Sequence, residues 1–94
     1  SNQQPRPVAG NPKPIYPSFA RKKGLEGDVI LTVSIQPTGA VSTVTLKRSS
    51  GFKLLDSAAM DAVRHWRYEP LSETAIPESR SDDIPINFRL KSKT

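Results

Sequence analysis

The fold of this chain is decided by a stretch of thirteen residues, LLDSAAMDAVRHW, which runs from Leu54 to Trp66. Asp56 lies in its first turn and His65 in its last, and both suit the dipole of a helix. The spacing i, i+3, i+4, i+7, i+8 and i+11 puts its apolar residues on one helix face; they are Leu55, Ala58, Ala59, Ala62, Val63 and Trp66. The stretch therefore predicts a long amphipathic helix with Trp66 as an anchor in the core.

Two strands are predicted before this helix. Apolar residues alternate with other residues from about Glu26 to Ile35, which is the period-2 pattern of a half-buried strand. Gln36-Pro37-Thr38-Gly39 then predicts a hairpin turn, because proline presets its first position and glycine accepts a positive φ. The return strand, Ala40 to Arg48, slips in phase, which predicts a bulge near Ser42-Thr43.

A third strand is predicted at the end of the chain, from Asp82 to Lys91, after a polar loop. It carries Ile84, Ile86, Phe88 and Leu90 on one face. Pro85 lies within it, and a proline has no N–H to give to a sheet, so this strand belongs at a sheet edge. The favourable arrangement turns the main-chain groups of Pro85, Asn87 and Arg89 outward and leaves Ile86 and Phe88 bonded to the first strand.

These elements define an α+β fold. A short N-terminal helix, Ser18 to Lys23, starts after Pro17 and ends at Gly24, a residue suited to closing a helix. A long helix that runs back along the sheet brings the third strand beside the first. The expected architecture is a three-stranded antiparallel sheet of order second-first-third, with the long helix packed on one face.

The domain is expected to cover residues 14–91, between a flexible, proline-rich linker end (1–13) and a short tail (92–94). Pro5, Pro7, Pro12 and Pro14 fall in or next to the first segment, which shows no apolar periodicity. No run of about 20 apolar residues is present. The chain is accordingly either cytoplasmic or a fragment whose targeting segment lies upstream, and the proline-rich start favours the fragment.

The composition argues against catalysis and against metal or cofactor binding. The chain has no cysteine, and His65 is its only histidine, one helical turn after Asp61. No nucleophile is paired with a base, and the carboxylates show no ligand spacing. The net charge of +5 leaves nucleic-acid binding as an alternative, but the aromatic residues are scattered rather than set on one strand.

Several short runs, in order and at matching spacing, resemble the C-terminal domain of the TonB family. They are Pro14-Ile15-Tyr16-Pro17, Gly24-Leu25-Glu26-Gly27, Pro37-Thr38-Gly39, Ser49-Ser50-Gly51 with Leu54-Leu55-Asp56, and above all Trp66-Arg67-Tyr68-Glu69-Pro70. The resemblance covers about Pro14 to Leu90. One position departs from the pattern, since the family often has a polar amide where Ile15 stands. A TolA-like periplasmic domain is the first alternative, ahead of nucleic-acid binding, although that family usually lacks the Trp-Arg-Tyr-Glu-Pro run.

The resemblance implies a role and partners. Members of the family are anchored in the inner membrane, cross the periplasm on a proline-rich spacer, and capture the TonB box of outer-membrane receptors for iron chelates or cobalamin. Inner-membrane proton-channel proteins supply the energy. The receptor peptide pairs with the last strand, and the Tyr-Pro segment also touches the receptor. The residues carried over here are Pro14, Ile15, Tyr16, Pro17, Ile84, Pro85, Ile86, Asn87, Phe88, Arg89 and Leu90.

The edge strand by itself leads to the same kind of partner. Its unpaired N–H and C=O groups can template an extended peptide, the mode called β-augmentation. The same edge can pair with a second copy of the chain. The sequence therefore predicts a monomer that forms an edge-strand dimer at high concentration.

Overall fold

The computed structural model describes residues 5–70 and 80–90, which form two helices and three strands. In chain order these are α1 (Ser18–Lys23), β1 (Gly27–Ile35), β2 (Val41–Arg48), α2 (Lys53–Val63) and β3 (Arg80–Phe88). The strands form one antiparallel sheet of order β2-β1-β3. The predicted fold class and strand order are thereby confirmed. The predictions for residues 1–4, for the loop over 71–79 and for the tail 92–94 lie outside the described residues.

The core lies between α2 and one face of the sheet. Every second residue of β1 is buried there because side chains alternate across a strand. At about 1.5–3 kcal/mol for each large apolar side chain, this burial is the main source of stability. The buried apolar residues of the three strands and α2 are Val29, Leu31, Val33, Ile35, Leu55, Ala59, Val63, Ile84 and Phe88.

The β1–β2 hairpin turns where the sequence predicts it. Gly39 has φ 96°, a conformation that favours glycine, and its N–H donates to the Gln36 carbonyl over 2.8 Å. A side chain at this position would also overlap the carbonyl oxygen of Tyr68. The position is therefore closed to any other residue by its φ and by its close neighbour.

β2 contains the predicted bulge and a second irregularity. The pairing moves from Ser34↔Thr43 to Ile35↔Val41, so Ser42 is the extra residue, as expected from the phase slip. The second shift makes Lys47 an extra residue next to the strand's C-terminal end. The residues there are polar, so no alternation of apolar side chains reveals the extra residue, and the sequence did not predict this shift.

α2 ends three residues earlier than the sequence predicted. The N–H groups of His65 and Trp66 donate to carbonyls three residues back, over 3.1 and 3.0 Å, so the chain tightens and leaves the helix. Trp66 consequently packs against the core but is only partly buried. Its indole N–H donates to the Pro12 carbonyl over 2.7 Å. Trp66 therefore contacts the core as expected, but from its margin rather than from its centre.

The N-terminal segment differs from the flexible linker end expected from its prolines. Residues 6–12, here called the arm, lie along residues 66–69, here called the exit strand. Glu69 N–H donates to the Arg6 carbonyl over 2.9 Å, and Val8 N–H to the Arg67 carbonyl over 3.0 Å. The Asn11 amide accepts from Arg67 N–H at 2.8 Å and donates to the Arg67 carbonyl at 3.0 Å. The exit strand offers free main-chain groups, and these outweigh the lack of apolar residues in the arm.

Candidate functional site

The outer edge of β3 can be assigned from the sheet register. Gln36 N–H bonds to the Ala40 carbonyl over 2.8 Å, so even-numbered residues of β1 direct their main-chain groups toward β2. Odd-numbered residues of β1 then face β3. Their partners there are Arg80, Asp82, Ile84, Ile86 and Phe88, in a pairing of nine residues without a register shift. The alternate residues of β3 therefore direct their N–H and C=O groups away from the sheet.

Pro85 and Asn87 are two of these outward residues, and both are exposed. This is the arrangement expected from the sequence, because an inward Pro85 would lose a bond to β1. Arg89 follows β3 directly, and its guanidinium lies 2.9 Å from an Asp28 carboxylate oxygen. Leu90 also lies beyond the strand, and its N–H donates inward to Glu26 Oε2 over 2.8 Å. The predicted strand therefore began two residues too late, and it included Arg89 and Leu90, which lie beyond the observed end at Phe88. Lys91 lies outside the described residues.

The second predicted segment, Pro14 to Pro17, lies beside the same strand. The Tyr16 ring packs edge-on against the Phe88 ring, with centroids 5.3 Å apart and planes at 85°. The Tyr16 hydroxyl donates to the Leu25 carbonyl, and the Arg21 guanidinium lies 5.7 Å from the ring centre. The structure thus joins the two predicted segments at the C-terminal end of β3. Ile15 contributes a side chain that is 81% exposed.

A groove that the sequence did not predict lies between this segment and α2. Its volume is about 530 Å³, and its walls are mainly apolar. It is lined by Pro12, Lys13, Ile15, Pro17, Ala58, Asp61, Ala62 and His65. Ala58 and Ala62 lie on the apolar stripe of the helix. The small size of alanine at these positions is the feature of the sequence from which the groove could have been predicted.

Two buried polar contacts brace the sheet from the helix side. The Tyr68 hydroxyl donates to Asp82 Oδ2 over 2.8 Å, and burial together with the nearby carboxylate raises the pKa of Tyr68. Asp56 accepts from Ser50 N–H at 2.9 Å, from the Ser50 hydroxyl at 2.8 Å and from the Ser49 hydroxyl. Burial acts to raise the pKa of Asp56, but these hydrogen bonds outweigh it and the pKa is lowered. Neither contact faces the outer edge of β3.

The sheet face opposite the helices carries a polar bridge across all three strands. Lys47 of β2 lies 2.6 Å from Asp83 Oδ2 of β3, and the Thr32 hydroxyl of β1 donates to Asp83 Oδ1 over 2.8 Å. The hydrogen bonds from Lys47 and Thr32 hold the pKa of Asp83 below its usual value. The bridge links both sheet edges.

Residues 5–70 and 80–90 contain no group of three or more potential ligands that could hold a metal ion. His65 is exposed, and its ring nitrogen lies 3.1 Å from the Asp61 main-chain oxygen rather than against the carboxylate. Across the same residues no helix has the length and hydropathy needed to cross a membrane. Among residues 5–70 and 80–90 no strand pairs with the outer side of β3, so the described geometry offers a regular edge with Tyr16 at one end.

These features define a class of protein, the small α+β domains whose sheet ends in an open edge strand. The sequence model described as the Gram-negative bacterial TonB protein C-terminal matches residues 12–90. The chain belongs to this family, which is one of energy transducers. The TolA-like alternative is thereby set aside.

Curated relatives agree with the family assignment. The chain is 38% identical to the protein tonB2 of Pseudomonas aeruginosa over 80 residues, which cover 85% of this chain and 30% of that protein. It is 33% identical to the TonB protein of Vibrio cholerae over 88 residues, covering 94% of this chain and 36% of that protein. The chain therefore spans about a third of the length of these relatives.

Solved structures agree with the fold. The solution structure of the Pseudomonas aeruginosa TonB C-terminal domain superimposes with a TM-score of 0.77 at 22% identity, covering 99% of this chain and 93% of that one. The TonB2 protein of Vibrio anguillarum gives a TM-score of 0.70 at 29% identity, covering 98% and 87%.

Proposed function

We propose that this chain is the periplasmic, non-enzymatic domain of an inner-membrane-anchored energy transducer. It captures the TonB box of outer-membrane receptors as an added strand on the outer edge of β3, and so drives uptake of iron chelates or similar nutrients. Inner-membrane proton-channel proteins act through the upstream part of the protein. The observation that carries the proposal is the unbroken nine-residue pairing of β3 with β1, which leaves a regular row of outward main-chain groups.

The chemistry of this edge suits a partner whose sequence varies. Main-chain hydrogen bonds are available to any residue except proline, while side-chain pockets supply selectivity. Asn87 and Arg89 offer outward N–H groups in this assignment, and Pro85 offers only its carbonyl. Ile84, Ile86, Phe88 and Leu90 support the edge from the core side. Tyr16, between Pro14 and Pro17, extends the contact surface beyond the strand's end through its packing on Phe88.

A titration monitored by NMR tests the proposal. A synthetic peptide from the N-terminal region of a TonB-dependent receptor is added to the isotopically labelled chain. We expect the largest amide shifts at Asn87, Arg89 and Tyr16, and much smaller shifts along β2. The matched control is the same peptide with proline at alternate positions, which cannot complete a ladder of main-chain bonds. Equal binding of the control peptide, or shifts centred on β2, would contradict the proposal.

Self-association at the same edge is tested separately. Pairing of β3 with β3 of a second copy gives shifts of the same residues that grow with protein concentration without any peptide. Sedimentation velocity across a concentration series distinguishes this dimer from peptide capture. We expect a monomer that dimerises only at high concentration, since the outward proline leaves the edge one donor short.

A further inference from the structure

The positive charge of this chain is confined to its N-terminal part. Residues 1–25 hold five of the fourteen lysines and arginines and none of the nine acids, so residues 26–94 hold nine of each and are neutral. The whole net charge of +5 therefore belongs to the arm, the Tyr-Pro segment and α1. In the described part of the chain, the three ion pairs all involve residues beyond 25. The cations of this segment remain free to attract an anionic partner.

The same segment displays the two most exposed large apolar side chains among the described residues. Ile15 is 81% exposed and Phe19 is 57% exposed. Ala20 fixes α1 to the core, so the helical rotation of about 100° per residue turns Lys22 to the opposite, outer side. Lys23 Nζ lies 5.6 Å from the centre of the Phe19 ring. Phe19, Lys22 and Lys23 thus lie together on the outer side of α1.

We propose that this basic apolar surface, formed by Phe19, Lys22 and Lys23 of α1, binds the face of a bilayer that contains anionic phospholipid. Lysines near exposed aromatic and aliphatic side chains are typical of segments that rest in the interface of a membrane. The cations attract the phosphate layer, and Phe19 enters the boundary between head groups and acyl chains.

A bilayer suits this surface better than an acidic peptide does. The cations are exposed lysines on flexible stems, without the fixed fork that selects single carboxylates. Phe19 is 57% exposed, so its ring does not lie in an enclosed pocket. A fluid layer of anionic head groups needs no fixed geometry to surround Phe19 and the lysines beside it.

The surface is separate from the outer edge of β3, so bilayer binding does not depend on peptide capture. Attraction to an anionic leaflet amounts to about a fivefold gain in affinity for each nearby Lys or Arg, and it weakens with salt. The domain would thus be held near a membrane while the edge of β3 stays open to a peptide.

Co-sedimentation with lipid vesicles tests the proposal with matched charge changes. The full chain is mixed with vesicles of about one-third phosphatidylglycerol in phosphatidylcholine, and with vesicles of pure phosphatidylcholine. We expect binding to the anionic vesicles only. The double variant Lys22→Gln/Lys23→Gln should lower the affinity on the order of 20-fold. The control variant Arg48→Gln/Lys53→Gln removes the same charge from exposed positions outside the segment and should lower it less than about threefold. Equal losses for the two variants would overturn the proposal, because net charge alone would explain binding.

The apolar contribution is tested at constant charge. Phe19→Ser should lower the affinity for anionic vesicles on the order of tenfold, and Phe19→Trp should give a blue-shifted fluorescence component over the Trp66 background. Circular dichroism checks that both variants remain folded. An unchanged affinity for Phe19→Ser would overturn the proposal. A soluble polyglutamate peptide is the comparison ligand. The proposal would also be overturned if the chain bound this peptide but not the vesicles, and if Lys22→Gln/Lys23→Gln weakened the binding of the peptide.

Discussion

The two edges of the sheet are built differently, although both are antiparallel partners of β1. β3 pairs with β1 over nine residues without a shift, whereas the pairing of β2 is interrupted by extra residues at Ser42 and Lys47. Bulges and lysines are the common means of keeping a sheet edge from pairing with another chain. β3 has neither a bulge nor a lysine, although a proline, Pro85, lies on its outer edge. Within the described residues, one edge is thus interrupted and the other is regular and not paired with another strand.

The supports of the two edges differ as well. β2 continues directly into Ser49 and Ser50, which Asp56 of α2 holds by hydrogen bonds. β3 is supported at its far end by the packing of Phe88 on Tyr16. Removal of the β2 support should therefore affect folding, while changes on the outer edge of β3 should affect binding.

The largest expected effect separates the inward from the outward residues of β3. Ile86→Pro removes an N–H that is directed toward β1 and leaves a carbonyl there without its partner, so it should destabilise the fold by up to about 3 kcal/mol. Asn87→Pro removes an outward N–H, so it should leave the fold in place and weaken binding of the receptor peptide at least about tenfold. Urea unfolding and a peptide titration on both variants measure the two effects. A folded Ile86→Pro beside an unfolded Asn87→Pro would mean that the register is inverted.

Asp56→Asn tests the support of the β2 edge. The amide cannot accept all the hydrogen bonds that the carboxylate accepts, so we expect a loss of about 2 kcal/mol near neutral pH. Because the pKa of Asp56 is lowered in the folded chain, its contribution is present above the ordinary carboxyl pKa and is lost as the pH falls through the folded value.

The measurement is urea unfolding of wild type and variant at neutral pH and at about pH 3. The difference in unfolding free energy should shrink on acidification, while the affinity of the folded protein for peptide stays the same. A difference that is independent of pH would show that the carboxylate charge does not contribute.

Pro85→Ala adds a donor to the outer edge of β3. One further main-chain hydrogen bond of about 0.5–1.5 kcal/mol should tighten peptide binding roughly two- to tenfold. The added donor should also promote dimers, which sedimentation velocity detects. No gain in either measurement would show that Pro85 lies outside the peptide-binding part of the edge.

Lys47→Gln has the smallest expected effect. The Lys47–Asp83 pair is exposed to solvent, which screens it, so the urea midpoint of unfolding should be nearly unchanged. Peptide affinity should stay within about twofold, since the bridge lies across the sheet face. Asp83→Asn is the reciprocal control. A much larger loss of affinity for either variant would mean that the bridge positions the β3 edge.

The sequence predicted the elements whose pattern is set by burial. The period of β1, the stripe of α2 and the phase slip at Ser42 each reflect side chains that face the core, so their positions follow from spacing. The outward turn of Pro85 followed from its missing N–H. These local patterns were sufficient to predict the strand order and which residues of β3 direct their main-chain groups outward.

The remaining features depend on contacts between distant polar groups. The arm bonds to the exit strand through main-chain atoms, which leave no mark in hydropathy, and this explains why Arg6 to Pro12 resembled a free linker. Trp66 continued the helical period although the helix had ended at Val63. The alignment of Tyr16 with Phe88 required the fold itself, because the two residues are far apart in the chain.

The contact between the arm and the exit strand determines where tension applied to the N-terminal end of the chain is transmitted to the sheet. The exit strand is also bonded to the hairpin, through Tyr68 N–H and the Gly39 carbonyl over 2.7 Å. A pull applied at Pro5 would therefore enter the sheet beside the β1–β2 turn. Should the arm detach, the first fixed point becomes Tyr16, at the opposite end of strands about 30 Å long. Opening a few exposed hydrogen bonds would thus move the point of traction from one end of the sheet to the other, beside Phe88.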